Sequence, residues 1–540
     1  MKTACNILTD RIQITFDSTE EANYYTKHYG WRCRNLSLSV EDTTMNRLIL
    51  GLPYYKPKFI AQPAVDGLYD FQVEDVKRLS SMGNSLNANA MGTGKTIEAL
   101  ACIKTMNLKT GVIFTKKSCI TQWCEAIKKW LPGATCFGYL NKQSQTLPKL
   151  SDVDFIVTNY EKLVGNYIRV GRQRKPVLNA FGEYLCGRRH DILIADEAHM
   201  ICSIDSARHI LINKIPSRYR QGLTGTPIIN KPDNLYGLLN WINPKLVGTS
   251  YWKFVDAFCR VDDTNPFGRK ILGLTRYEEN QEVLHKLLET CSVRHTLEEV
   301  VKDLPPIVEY TVTLDMDAEQ SKRYKAIKKL IIEELPDNLP IQNGLVQTIR
   351  LQQQASCPKI LDSKAQWGPK FEFVSDFLET DENMRLVVFS PYALQCEHLK
   401  KYLEEKNIEC AIVTGKASSN IRAQMFSTFI KGKARVLIGT IGAIGTGVDG
   451  LQRVCKNIIF LDKSWSPEEM RQAVSRLYRI GQEHAVSSWY LECNRTIDKK
   501  VGRININKLK DIKSIFDDTD IDTGEYKLFT TTKENKLWET

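Results

Sequence analysis

The chain reads as an α/β protein, two blocks of parallel sheet flanked by helices, with helical segments between the blocks and a small accessory domain in front. Three observations predict this. Short apolar runs of strand length alternate with amphipathic helical stretches over residues 66–245, and the same beat returns over 371–500. At 540 residues the chain is too long for one hydrophobic core. Beyond the two similar blocks, no repeat at a period of roughly 20 to 50 residues divides it differently.

Residues 1–65 mix alternating segments such as IQITF with the aromatic and basic PYYKPKF, and read as an accessory domain or cap. From Leu68 the runs GVIFT, DFIVT, DILIADE and QGLTGTP mark strands of the first block, which ends near Pro244. Residues 246–370 carry the helical patterns YKAIKKLIIEEL and QTIRLQQQ and read as a helical insertion or linker. In the second block RLVVFS, ECAIVTG, RVLIGT and NIIFLD are strands. LQCEHLKKYLEEKN and IRAQMFSTFIKGK are helices, the latter with Met425, Phe426 and Phe429 on one face. Residues 501–540 are charged and read as a bracing helix followed by a loose tail.

Composition narrows the function classes. Lysine and arginine number 74 against 63 acids, a net charge of +11 that favours a polyanionic partner without identifying it. Fifteen cysteines never form C-x-x-C, the nearest pair being Cys119 and Cys124, which argues against a zinc ribbon or a disulfide framework. They read as reduced thiols in a cytosol-like compartment. The start, MKTACNILTDRIQ, lacks an apolar signal core, and no uncharged apolar run approaches the roughly eighteen residues a membrane span needs.

Three segments carry chemistry. Met91-Gly92-Thr93-Gly94-Lys95-Thr96 precedes the helical run IEALACIKTM, an arrangement that sets phosphates against backbone N–H groups at a helix N-terminus. Lys95 brings positive charge to the β and γ phosphates, and the Thr96 hydroxyl suits Mg²⁺. The apolar strand Ile192-Leu193-Ile194-Ala195 ends in Asp196-Glu197-Ala198-His199. Two carboxylates at a strand tip require a cation or partner, so Asp196 suits Mg²⁺ and Glu197 suits the attacking water. Gln472-Ala473-Val474-Ser475-Arg476-Leu477-Tyr478-Arg479-Ile480-Gly481-Gln482 supplies positive charge from the second block, with Arg476 and Arg479 three apart and therefore on one face of a helix.

In order, LYDFQ, AMGTGKT, LIADEAH, LTGTP, VVFS, VLIGT and QAVSRLYRIGQ resemble the motifs of superfamily-two helicases. R-x-x-R-I-G-Q, preceded by Asp462-Lys463-Ser464-Trp465-Ser466-Pro467, is similar to the Swi/Snf-type branch of DNA-dependent ATPases. The resemblance covers roughly residues 66 to 500. It implies two RecA-like lobes, ATP and Mg²⁺ in the cleft, and DNA as partner, duplex favoured with forked or single-stranded DNA open. By the same resemblance Gln72 lies near the adenine, and Gln472, Arg476 and Arg479 face the γ-phosphate. Thr224-Gly225-Thr226 links nucleotide state to lobe movement. Thr115, Lys116, Thr158, Asn159, Ser390, Thr414 and Thr440 touch the nucleic-acid backbone.

Some positions depart from the pattern. The family's A-D-E-M-G is Ala88-Asn89-Ala90-Met91-Gly92 here, and its A-G-G-x-G-L-N is Ala443-Ile444-Gly445-Thr446-Gly447-Val448-Asp449. Ser292-Val293-Arg294-His295-Thr296 has one arginine where two are common. The leading expectation is a motor tracking along duplex DNA, with no strand-splitting pin visible. The alternatives are a strand-separating helicase on single-stranded DNA or RNA, and an ATPase-silent nucleic-acid-binding scaffold. Arg169-Val170-Gly171-Arg172-Gln173-Arg174-Lys175 reads either as part of the DNA path or as a solvated loop, and Trp465 either as a lever or as a core aromatic. The lack of a recognisable histone-reading or nuclease module suggests a bacterial or bacteriophage replication, repair or defence factor. It would act in the cytoplasm of a bacterial cell or phage-infected host, with replication, repair or nuclease proteins as partners.

Overall fold

The computed structural model describes residues 4–502 apart from 56–62, 141–145, 172, 228–231, 266–267, 301–304, 334–340, 445–449 and 480. The expected brace and tail therefore lie outside the described residues, as do most of the departures between Gly445 and Asp449. The chain divides into two compact units, one running to Val300 and the other starting at Val301.

At the core of the first unit is a seven-stranded, wholly parallel sheet in the order Ser292–Val293, Ser85–Asn87, Ser217–Leu223, His190–Asp196, Gly111–Thr115, Phe155–Asn159, Cys136–Gly138. Its central strands are buried on both faces, Val112, Ile113, Phe114, Leu193 and Ile194 being fully inaccessible. That is why they read as unbroken apolar runs. The second unit repeats the plan with six parallel strands: Ile307–Leu314, Val486–Cys493, Asn457–Phe460, Leu386–Ser390, Val436–Thr440, Cys410–Val413. Helices Ala393–Glu404 and Ser419–Ile430 form as their periodicity predicts, and Phe426 and Phe429 enter the core.

The segment 246–370 is not a separate helical insertion. The boundary between units falls inside it, and it gives an edge strand to each sheet, Ser292–Val293 to the first and Ile307–Leu314 to the second. Helices Ala318–Glu333 and Ile341–Ser356 do form. What the helical reading passed over is the β-branched run IVEYTVTL, whose partner lies far along the chain at Val486–Cys493.

Residues 1–65 likewise do not stand apart. Ala4–Ile7, Arg11–Thr15 and Ser37–Glu41 form an antiparallel sheet whose alternation turns Ile12 and Ile14 inward. Those side chains, with Phe16, Tyr25 and Trp31, share one core with Phe254, Phe258, Leu284 and Leu287. Three short strands and two helices hold too little apolar area to close alone, so their open face is covered by helices Tyr251–Phe258 and Glu278–Glu289.

In the second unit the Lys370 ammonium is fully buried between Asp462 and Asp498, 2.8 Å from each. Coulomb attraction from both acids outweighs the burial that would otherwise discharge it. Among the described residues no helix is long and apolar enough to cross a membrane.

Candidate nucleotide site

A parallel sheet puts the carboxyl ends of its strands on one edge, the place where ligands of open α/β sheets bind. Asn87, Thr115, Asn159, Asp196 and Leu223 end five neighbouring strands there. From Asn87 the chain turns through residues 88–94 into helix Lys95–Thr105. Gly92 and Gly94 hold φ of 85° and 93°, a region that L side chains rarely enter. A Cβ on Gly94 would lie 2.5 Å from Gln72 Nε2. Gln72 is 2% exposed, donates to the Thr93 carbonyl at 2.8 Å and accepts from Tyr69 N–H at 3.1 Å. Both ends of its amide are thus engaged by the chain itself, where the resemblance had set it near adenine. The Thr93 hydroxyl closes the turn on the Ala90 carbonyl at 2.9 Å.

Lys95 Nζ donates to the carbonyls of Asn89 and Ala90, 2.8 Å each. Neutral carbonyls are weaker acceptors than phosphate oxygens, so the ammonium is held over the loop in a form that a nucleotide can recruit. Thr96 follows in the first helical turn, among the N–H groups that no helical carbonyl satisfies. Below the loop Asn89, where the family has an acid, is fully buried and donates to Asp75 at 2.7 Å and to Glu98 at 3.2 Å. Asn87 also donates to Glu98, and His295 meets Asp75 at 3.1 Å. Burial, then the Asp75 charge, pushes the Glu98 carboxyl up to about 7.

Asp196 is held by three donors: Thr115 Oγ1 at 2.7 Å and Trp123 Nε1 at 2.9 Å on one oxygen, Glu197 N–H at 3.1 Å on the other. Tyr160 fixes its carbonyl at 2.7 Å. Burial, then the Glu197 charge, raises the proton affinity of Asp196. Glu197 shifts the other way. Burial opposes its charge, but Lys116, His199 and Lys95 hold its carboxyl below the ordinary range, with Lys116 Nζ 3.4 Å away. The adjacent acids are thereby differentiated. Asp196 is an oriented buried carboxylate short of positive charge, and Glu197 is an ionised acceptor for a water proton.

The donor set suits Mg²⁺. Asp196 and the Thr96 hydroxyl are hard oxygen ligands, and the raised proton affinity of Asp196 marks a deficit that a divalent cation fills. Among the described residues no group of three or more His, Cys, Asp or Glu could hold a metal by itself, as expected where phosphate and water complete the shell. When bound, the ion would neutralise charge on the transferring phosphoryl group.

Glu197 has φ 53° and ψ 51°, a left-handed conformation that costs a non-glycine residue about 1 kcal/mol or more. This turns its carboxylate toward His199, 3.4 Å away, and His199 Nδ1 lies 3.2 Å from Thr224 Oγ1. Thr224 Oγ1 accepts from Thr226 N–H at 3.1 Å. At Gly225 an added Cβ would meet Met91 at 3.2 Å. The Thr224-Gly225-Thr226 turn therefore touches both the acid pair, through His199, and the phosphate loop, through Met91.

Several residues read as nucleic-acid contacts are placed otherwise. Thr115 is fully buried and spends its hydroxyl on Asp196, and Lys116 pairs with Glu197. Thr158 and Ser390 are also fully buried, Ser390 accepting from Tyr392 N–H at 2.9 Å in a local turn. Asn159 donates to Glu161 at 2.6 Å, and Thr414 is largely covered. Lys116 and Thr440 are half-buried. Strand ends in a parallel sheet are covered by the loops that follow them, so these hydroxyls face protein and not solvent.

In the second unit the arginine reading is corrected too. Helix Pro467–Val474 carries Gln472 but stops before the arginines: Ser475 is the C-cap, its hydroxyl donating to the Gln472 carbonyl at 2.9 Å. Arg476 and Arg479 lie in the turns beyond, around the fully buried Leu477 and below Gly481 at φ 92°. Burying Leu477 bends the chain off the helix axis. Trp465 is half-buried.

Sequence reasoning did not single out Trp123, Tyr160 or His199. Trp123 sits on the apolar face of helix Ile120–Trp130 and looked like ordinary core. His199 was legible only as the last letter of the D-E-A-H string.

With this geometry in view, comparison with known families is decisive. The SNF2-related domain matches residues 63–364, more than half of the chain. The chain belongs to the SNF2-related family. A helicase conserved C-terminal domain matches residues 369–481, and this pair of domains makes the SNF2-type chain a nucleic-acid-dependent ATPase. Similar curated proteins include the DNA annealing helicase and endonuclease ZRANB3 of Bos taurus, 23% identical over 77% of this chain and 37% of that protein. The SWI/SNF chromatin-remodeling complex subunit snf22 of Schizosaccharomyces pombe is 25% identical over 92% of this chain and 31% of its own. An uncharacterized ATP-dependent helicase of Mycoplasma pneumoniae is 22% identical over 87% of this chain and 43% of its own. This SNF2-type chain spans less than half the length of each of these three. The Sulfolobus solfataricus SWI2/SNF2 ATPase core in complex with dsDNA aligns with 85% of this chain and 99% of that one, at 22% identity and a TM-score of 0.39.

Proposed function

We propose that this SNF2-type chain is an ATP-driven translocase on double-stranded DNA, serving replication, recombination, repair or defence. The observation that carries the reading is the differentiated acid pair at the sheet edge. Asp196 is oriented to hold a cation, and Glu197 is held in its ionised form by Lys116 beside a lysine-bearing phosphate loop. Lys95 binds the triphosphate and Thr96 and Asp196 hold Mg²⁺. Glu197 orients and deprotonates the attacking water. The contacts of Thr224 with His199, and of Gly225 with Met91, give hydrolysis a route to backbone movement. Arg476 and Arg479 are the candidates for the positive charge that the transition state needs. Among the relatives, one is named as a DNA annealing helicase and another as a chromatin-remodeling subunit, names that support DNA as the track.

The test is ATPase turnover with duplex, forked and single-stranded DNA and with RNA. Duplex should stimulate most, and Lys95→Ala or Glu197→Gln should lower kcat at least a hundredfold. Turnover indifferent to nucleic acid would count against the reading. Stimulation by RNA or single strands alone would favour the strand-separating alternative.

A further inference from the structure

Between strands Phe155–Asn159 and His190–Asp196 of the first sheet, the chain leaves the carboxyl edge as a hairpin, Val164–Val170 paired antiparallel with Gln173–Leu178 and turning at Gly171. No such element was legible in the sequence. Its base is anchored: Asn179 donates to the carbonyl of Lys162 at 2.8 Å and of Val164 at 3.3 Å, and accepts from Gly182 N–H at 3.0 Å. Val164 and Leu178 pack on the core. Among the described residues it joins no other strand, and helix Ala207–Ile212 lies against it.

Its outer half has an unusual composition. Tyr167, Ile168 and Val170 are 55%, 50% and 47% exposed, and since successive residues face opposite sides, each face carries exposed apolar surface even though Pro176, opposite Tyr167, is buried. A bare two-stranded hairpin is marginal in water, and exposing three large apolar side chains on it adds no stability to the monomer. The charges are equally unbalanced. Arg169 stands directly opposite Arg174, and Ile168 opposite Lys175. No acidic residue occurs from Val164 to Gly182. Like charges in facing positions repel, and an anion brought between them removes the cost.

Cations alternating with apolar and aromatic side chains on a protruding ribbon fit a nucleic acid that offers phosphates and base faces together. An intact duplex covers its base faces, and a junction exposes them. We propose that hairpin 164–178 engages the junction of branched DNA through the face that carries Tyr167, Arg169 and Arg174, the arginines on the phosphates and Tyr167 against the terminal base pair. This deepens the translocase reading and rests on it for the identity of the polymer. A protein partner is the competing occupant, and the run of basic residues with no acid from Val164 to Gly182 favours DNA.

The test is nucleotide-free binding of the full chain to a fork and to a blunt duplex of the same paired sequence, with 2-aminopurine at the first pair of the fork. Wild type should prefer the fork about tenfold and brighten the 2-aminopurine. Tyr167→Ala should bring the preference close to one and abolish the brightening, and Ile168→Ser, on the opposite face, should leave both unchanged. Arg169→Ala with Arg174→Ala should weaken fork binding and lower its salt slope by about two. Because these side chains are exposed, melting temperatures should stay at the wild-type value, which separates loss of contact from loss of fold. Equal affinity of wild type for fork and duplex, or a fork preference untouched by Tyr167→Ala, overturns the proposal. Binding is read without ATP, so absent duplex-stimulated turnover would sink the translocase reading alone.

Discussion

At the scale of single residues, the site works by giving two neighbouring carboxylates unlike surroundings. Thr115 and Trp123 aim Asp196, and neither touches the triphosphate in the proposed mechanism. Thr115→Val and Trp123→Phe each remove one donor from an otherwise buried carboxylate. Each should lower kcat about tenfold while leaving the KM for ATP within about twofold, in steady-state ATPase assays over a Mg²⁺ titration. Rates equal to wild type would show that Asp196 needs no such orientation. Beneath the phosphate loop, Asn89 stands between Asp75 and Glu98, so the acid missing from the loop has a counterpart on the helix. Asn89→Asp would crowd three carboxylates into a buried space and should cost several kcal/mol. Adding Glu98→Gln returns one amide to the set and should recover most of the loss in melting temperature. Simple additivity of the two effects would refute the pairing.

At the scale of elements, strand His190–Asp196 carries a functional end and a structural one. Its first residue, His190, is fully buried, accepting from Arg188 Nε at Nδ1 and facing the Leu185 carbonyl with Nε2 at 2.9 Å. Burial lowers its pKa to about 4, with the Leu185 carbonyl opposing and the Arg188 charge adding to the shift. The folded chain therefore keeps the ring neutral where the unfolded chain binds a proton. The stabilisation is complete above the unfolded pKa of about 6.5 and is lost as pH falls toward 4, a span worth roughly 3 kcal/mol. Denaturant midpoints should drop over that interval, and His190→Gln should flatten the drop. The elements also show which patterns mislead. IVEYTVTL lies among helices and was absorbed into them, and hairpin 164–178 was read as a basic stretch. In both cases pairing, not local pattern, made the strand.

For the whole molecule, a net charge of +11 on two α/β units sets how binding to a polyanion depends on salt. The logarithm of the affinity for duplex DNA should fall linearly with the logarithm of salt concentration, with a slope of several units, and an affinity unchanged between about 50 and 200 mM salt would exclude a phosphate-tracking surface. Motif chemistry was legible in advance because it is local: glycines that alone accept positive φ, a lysine and threonine at a helix start, acids at the tip of an apolar strand. The two-block α/β architecture was legible as well, since strands buried on both faces leave continuous apolar runs. Tertiary structure alone decided the rest. It closed residues 4–55 onto the core of the first unit and split the presumed linker between two sheets. It turned Thr115 and Lys116 inward to the acid pair, and ended the arginine helix at Ser475. All but the last of those outcomes depend on residues far apart in the chain competing for the same buried space or the same hydrogen bond, and a contact of that kind leaves no periodicity to read.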